Sequence, residues 1–470
     1  MPPPVVCRTT DATASRVWAV WSRFDLVQER DMDPLNTVLA GQPRFGAYVG
    51  TLSDVLGHAD RIAPLKAYCT GLLLPGTRKS IAPMAAQIAP ARVQATHQVL
   101  HHFVANGEWS DAALLARVRA VVLPVIESRG PIQAWIVEDT GFPRKGRHSV
   151  GVGRQSCGQV GKQDDCQVAV TLSLANGQAS LPIAYRLYLP EAWAHDAQRR
   201  MKAGVPQEIG FQTKPEIALD QIRAARAERV PPGLVLADAG YGSDAAFRTA
   251  LTALGLRYSL GIAASTGLWP PGTAPLPPEP WSGRGRPPTR MRRSPDHEPL
   301  SAETLARALP DAAWQEVRWR AGTNGLSASR FAAVRVRPAH RDEQRRGPGP
   351  EEWVLIEWPD GEDAPTQYWI STLPAETSLA ELVSRTKLRW RIERDYTELK
   401  QEIGLGHYEG RGWRGFHHHA SLCIAAYGFL VCERGRFSPA GPELARLHTP
   451  DRPAGDRSRG TPDPARASWA

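Results

Sequence analysis

The sequence predicts an α/β chain: an all-helical segment, then a mixed sheet, then a β insertion that separates the last core strand from a closing helix. Three observations carry this reading. Apolar residues recur at spacings of three and four from Asn36 to Arg129. Short apolar runs then alternate with helical segments up to about residue 264. Beyond them a Pro-, Gly- and Arg-rich stretch leads into four further apolar runs. Period 3.6 and short β-branched or aromatic runs are the signatures of helix and strand.

The helical segments are TLSDVLGHADRIAPLKAYCTGLLL, SIAPMAAQIA, ARVQATHQVLHHFV and SDAALLARVRAVVLPVIESR, with prolines and glycines between them. Ser110 caps the last, with Asp111 in its first turn. His97 and His101 are four apart, a metal-compatible spacing, and His102 adjoins them. No carboxylate or cysteine cluster accompanies them, so a surface or capping role is expected. Residues 1–31 show no apolar period until SRVWAVW. They read either as a short helix or as an upstream extension with the start at Met32, and the second is favoured.

AWIVEDTGF is a buried strand over Trp135 to Val137 that ends in acids. CQVAVTLSLANGQ is a second, closed by an Asn-Gly hairpin signal. ASLPIAYRLYLP is the third. KPEIALDQIRAARAER is a helix, GLVLADAGYG a short strand ending at Asp238, SDAAFRTALTALG a helix and LRYSLGIAA a strand. Three antiparallel strands followed by helix and parallel strand describe a ribonuclease H-like fold, in which carboxylates at strand ends converge. Asp139 and Asp238 stand where such acids belong; capping of turns is the alternative for each. Glu138 is a rival to Asp139, but strand alternation turns it to the opposite side.

From Ser265 to Pro299 the chain reads as a loop made basic by Arg284, Arg286, Arg290, Arg292 and Arg293. ALPDAAWQEVRWR, LSASRFAAVRVRP, EEWVLIEWP and TQYWISTLP read as strands of an inserted β-subdomain. Ser378 to Gly404 then reads as one long helix, capped by the Ser378 hydroxyl and ended by Gly404 in the left-handed conformation. Arg389, Glu393, Tyr396 and Lys400 fall within about 60° of one another on its surface. HHHASLCIAAYGFLV is an apolar helix; His417, His418 and His419 point different ways, which argues against a shared metal. From Glu433 onward the chain lacks periodicity and is expected to be disordered.

Composition narrows the class. The 470 residues carry a formal net charge of +9, with a sequence pI of about 9.4, which suits a polyanionic partner. Six scattered cysteines without a C-x-x-C pair argue against a disulfide framework or structural zinc site. No run of about 18 apolar residues occurs. A cytoplasmic protein with no membrane association is expected.

The R-W-R-I-E run with Lys400 seven residues after Glu393 resembles the third catalytic block of DDE-superfamily insertion-sequence transposases, in the group written Y-(2)-R-(3)-E-(6)-K. Arg389, Glu393 and Lys400 match it; Thr386 stands at the tyrosine position. Asp139 in V-E-D-T-G-F resembles the first block and Asp238 in L-A-D-A-G-Y-G the second. LYLPEAW, AGVP and FQTKPE, from Leu187 to Glu216, look like one subgroup. The resemblance runs from about Asp54 to Val431.

The resemblance implies a metal-dependent DNA transposase. Asp139 would bridge two Mg²⁺ ions, replaceable by Mn²⁺, with Asp238 and Glu393 each holding one. Arg389 and Lys400 would bind phosphates, helped by Arg144, Lys145 and Arg147 after the first acid. Some members use a tryptophan near the last strand of the insertion to receive a flipped base; Trp369 and Tyr368 lie near there, with core packing the favoured role for each and base stacking by Trp369 the alternative. DNA, as transposon ends and target, is the implied partner, with a homodimer in the complex. The expected limits are 1–31 extension, 32–130 helical and possibly end-binding, 131–264 first part of the core, 265–376 loop and insertion, 377–432 core helices and 433–470 tail. A ribonuclease H-like nuclease that never joins strands, and a catalytically inactive transposon-derived DNA-binding protein, are the competing readings.

Overall fold

The apolar spacing of the N-terminal third folds as helices α1 (Pro34–Ser53), α2 (Ile62–Leu73), α3 (Ile81–Ile88), α4 (Val93–Ala105) and α5 (Asp111–Glu127). The computed structural model describes residues 34–157, 162–322 and 325–437; the expected extension 1–31 and the chain from 438 lie outside them. Ser110 caps α5 through a bond from the Ala113 amide, as its sequence indicates. The first expected helix is split. Gly57 takes φ +74, and His58 caps a new turn, so α1 and α2 are separate.

Seven strands and the two longer helices of the next stretch follow: β1 (Ala134–Pro143), β2 (Gly153–Cys157), β3 (Lys162–Ala175), β4 (Ser180–Leu187), α6 (Lys214–Ala227), β5 (Leu234–Ala237), α7 (Ala245–Ala253), β6 (Tyr258–Gly261) and β7 (Gly267–Trp269), with short helical turns at Glu191–Ala194, Ala197–Ala203 and Ala239–Gly242. The hairpin between β3 and β4 turns at Asn176. Its amide nitrogen bonds the Ile126 and Gly130 carbonyls, and its oxygen accepts from the Gln178 and Ala179 amides. β1 lies between antiparallel β3 and parallel β5, and β6 runs parallel beyond β5. β4 flanks the far edge of β3 antiparallel. The order β4-β3-β1-β5-β6 is that of a ribonuclease H-like sheet. The short β2 pairs with the start of β3.

The remaining elements are β8 (Leu300–Ser301), α8 (Ala302–Arg307), β9 (Gln315–Gly322), β10 (Gly325–Pro338), β11 (Glu352–Trp358) and β12 (Gln367–Ser371), then helices α9 (Leu379–Lys387), α10 (Trp390–Glu398) and α11 (Trp413–Phe437). The four strands expected as an inserted β-subdomain extend the core sheet. β12 adds antiparallel to β6, and β11 and β10 continue outward to make 12 strands. α11 is buried from Phe416 to Glu433 and packs against α5, α2, α4 and β4, joining the helical segment to the sheet.

Two expectations need correcting. Ser378 to Gly404 is not one helix. Ser378 caps α9 and Gly404 closes the run at φ +89, but the chain breaks after Lys387 and widens into a π turn over Leu399–Ile403. Nor does disorder begin at Glu433. α11 runs on to Phe437, with Glu433 buried and ion-paired to Arg44 at 2.6 Å. Among the described residues no helix is long and apolar enough to cross a membrane. Cys69, Cys157, Cys166, Cys423 and Cys432 are free and buried; Cys7 lies outside the described residues.

Candidate active site

β1 is held on one side along its whole length, pairing with β3 from Ala134 to Pro143. On its other side it pairs with β5 only over Ala134–Ile136. β5 stops at Ala237, and the chain turns away through Asp238, whose side chain caps the helical turn Ala239–Gly242 by accepting the Gly240 amide at 2.9 Å. The strand carrying Glu138 and Asp139 therefore does not end at its acids; its neighbour does. The open edge that results holds the cluster. Gly242 permits the turn, since a β-carbon there would come within 1.9 Å of the Gly261 carbonyl on β6.

The two adjacent acids of β1 have different surroundings. Asp139 is half-buried, with one carboxylate oxygen 2.5 Å from the Lys214 ammonium and the other accepting from the Tyr241 hydroxyl. Lys214 is the first residue of α6, which Thr213 and Glu216 begin with a reciprocal capping box. Glu138 pairs with Arg389. Burial pushes the Glu138 carboxyl up to about 7; Arg389 pulls against this, and the charges of Asp238 and Asp139 add to the rise. Burial likewise raises the Tyr241 hydroxyl well above its usual range, with Asp139 and then Asp238 contributing. Asp139 and Asp238 thus both act electrostatically on Glu138 and Tyr241.

Arg389 sits at the break between α9 and α10. Burial alone would lower its guanidinium, but Glu138, Asp238 and Glu393 hold it above its ordinary value. Glu393 lies one turn on, 3.8 Å from Arg389 at the closest ion-pair approach and largely exposed, with 69% of its side-chain surface open. Lys400, in the π turn, donates to the Gly141 carbonyl at 3.1 Å and lies 5.3 Å from the Phe142 ring centroid; burial holds its ammonium below the usual lysine value. Thr386, at the tyrosine position of the signature, is buried and hydrogen-bonded to Ser259 at 2.7 Å.

The basic residues after Asp139 divide. Arg144 is tied to the sheet by a 2.6 Å bond to Gln167, whereas Lys145 and Arg147 are exposed. Trp369 is 9% exposed, packed with Phe331, Leu355 and Val383 beneath the Lys387 ammonium at 4.9 Å, so here it is a core residue. Tyr368 is also buried. His417, His418 and His419 are buried on α11 with separate partners, and His97 stacks on His101. Lys214 and Tyr241 did not emerge as site residues from sequence. Their signal was there, in the capping box of FQTKPE and in DAGYG directly after the second acid.

Carboxylate oxygens are the donors that hard divalent cations take. Asp139 and Asp238 offer such oxygens beside this edge, and Glu393 pairs with Arg389, the partner of Glu138. Among the described residues no group of three or more acids, histidines or cysteines is already arranged around a metal position.

The sequence profile described as DDE superfamily endonuclease matches residues 51–326, more than half of the chain. The chain belongs to this family. The match takes in Asp139, Lys214, Asp238 and Tyr241 and ends before Glu393. DDE endonucleases generally use divalent metals. The chain is also 32% identical over 166 residues to a protein of Microchaete diplosiphon named as a probable transposase for insertion sequence element IS701. That alignment covers 35% of this chain and 40% of the relative, so the chain spans about two fifths of the relative's length.

Proposed function

We propose that this chain is a transposase that cuts DNA at transposon ends and joins the freed strand to target DNA. The observation that supports the reading is the placing of Asp139 and Asp238 around Tyr241, whose hydroxyl donates to Asp139 and is raised by both acids, beside the open edge of β1, in a chain of the DDE endonuclease family with a relative named as a transposase. Asp139, Asp238 and Glu393 would hold two Mg²⁺ ions, with Mn²⁺ able to substitute. Such ions lower the pKa of an attacking water or hydroxyl and stabilise the leaving oxygen.

The chain's own residues prepare that chemistry. Lys214 and Tyr241 fix the orientation of the Asp139 carboxylate. Glu138 holds Arg389 so that α10, which carries Glu393, docks against β1. Arg389 and Lys400 bind phosphate oxygens, Arg389 with the fork geometry that suits them. Lys145 and Arg147 extend the cationic surface past β1. Water is the first nucleophile and the freed 3′-hydroxyl the second. In the same reading helices α1 to α5 contribute to end binding, the strands from β9 to β12 are an insertion into the core, and two copies assemble on DNA.

The test is strand cleavage of DNA that carries both flanks of the coding region, searched for inverted repeats. Cleavage is expected with Mg²⁺ or Mn²⁺, and robust cleavage in excess chelator would sink the metal assignment. Cutting without joining would support a nuclease. Specific binding without cutting under any metal would support an inactive DNA-binding protein.

A further inference from the structure

The loop from Pro270 to Pro299, between β7 and β8, sorts its arginines into two sets. Arg292 and Arg293 anchor it. Arg292 pairs with Glu279 at 3.0 Å and bonds the Pro277 carbonyl, and its backbone bridges to Leu276. Arg293 pairs with the buried Asp342, which also accepts the Trp269 indole N–H at 2.6 Å. Met291 is buried between them and bonded through its backbone to Arg345. Above this base, Trp281 to Arg290 is exposed throughout. Arg284, Arg286 and Arg290 have no ion-pair partner among the described residues, and this tip, WSGRGRPPTR, contains no acid.

Trp281 is 55% exposed, unusual for so large an apolar ring. Its indole N–H donates to the Arg284 and Gly285 carbonyls at 3.2 Å each, across a turn in which Gly283 and Gly285 take positive φ. The ring is thereby held at its edge with a face open. Pro280, Pro287 and Pro288 limit the freedom of the tip, so ordering it against a partner is entropically cheap. A fixed, open aromatic face among unpaired guanidinium groups is the chemistry that binds nucleic-acid strands: the ring stacks on a base and the cations meet phosphates.

We propose that the Trp281–Arg290 tip is a DNA-binding element in which Trp281 stacks on an unpaired base while Arg284, Arg286 and Arg290 contact the flanking phosphates. It rests on the reading of the chain as a DNA-acting protein, but it assigns a surface that the acids do not require.

The test uses the full chain and a short duplex with a single-stranded overhang containing 2-aminopurine. Trp281→Ala is expected to weaken binding about tenfold and to abolish quenching of the 2-aminopurine, given about 1–3 kcal/mol per stacked base. Trp281→Phe keeps a ring but no N–H, and should retain most of both. Arg284→Ala/Arg286→Ala/Arg290→Ala together should make the dependence of log affinity on log salt shallower by about two to three. If the parent chain binds DNA and these variants match it in affinity, quenching and salt slope, the assignment is wrong, and the patch serves a different partner such as another protein. If Trp281→Phe behaves like Trp281→Ala, anchoring rather than stacking is the role of the ring and the stacking proposal fails. A parent chain that does not bind DNA overturns both this proposal and the transposase reading, whereas failure to cleave with binding intact bears on the acids alone.

Discussion

Glu138 and Asp139 are neighbours in sequence whose partners come from different elements. Lys214 reaches Asp139 from α6, and Arg389 reaches Glu138 from the turn between α9 and α10. Each partnership implies a positioning role. Lys214→Ala and Glu138→Gln should each lower cleavage roughly 10–100-fold, the size usual for groups that orient a metal ligand or its support. Binding of ends should be largely kept, as gel shifts run beside cleavage assays would show. Glu393→Gln should reduce cleavage further, to below detection, with binding intact; a variant that still cuts would move the third ligand elsewhere. His418 and His419 predict a pH effect on stability. Burial pushes both down to about 4. Unfolded histidine titrates near 6.5, so between those values the unfolded chain binds more protons. The stabilisation is complete above about pH 7 and declines as pH falls toward 4, by up to roughly 3 kcal/mol per ring. The raised carboxyls of Glu138 and Asp395 act in the opposite direction over the same range, so the check is comparative: between pH 7 and pH 5 the urea midpoint of the parent should fall relative to that of a His418→Gln/His419→Gln chain.

At the scale of elements, the helix that carries the third acid is where the sequence was least complete. Its caps were legible because Ser378 and Gly404 are local signals. The break at Arg389 was not, because nothing in L-R-W-R disfavours helix; it coincides with the ion pair to Glu138, far away in sequence. The strands were legible as apolar runs. That β1 loses a partner beside its acids was not, since the length of β5 matters only once the two are paired. Gly404 gives a direct test. A β-carbon there would meet the Lys79 side chain at 2.4 Å, and φ +89 is unfavourable for alanine. Gly404→Ala should destabilise the fold by at least about 1–2 kcal/mol, seen as a lower thermal midpoint, and should shift the π turn that holds Lys400.

For the whole molecule, the described residues up to Phe437 belong to one unit, and α11 is its central helix. The Tyr48 hydroxyl on α1 bonds the Ala425 carbonyl on α11 at 2.8 Å, and Arg44 pairs with Glu433. A chain cut to residues 34–437 should therefore unfold at the midpoint of the full chain. One ending at residue 432 should be markedly less stable, because it removes Glu433 and the Gly435 carbonyl that accepts from Arg129. This dependence has no local signal in the chain. Glu433 lies past the apolar stretch of α11, and its partner is at the other end of the chain.

The position of α11 also sets an order of events during synthesis. Helices α1 to α5 leave the ribosome first, yet the apolar faces of α2, α4 and α5 are covered by a helix translated only after residue 412. An interrupted translation product would carry Asp139, Asp238 and Glu393 but not the helix that packs against α2, α4, α5 and β4. Nascent chains short of α11 should engage chaperones, and prematurely terminated copies should be degraded rather than accumulate.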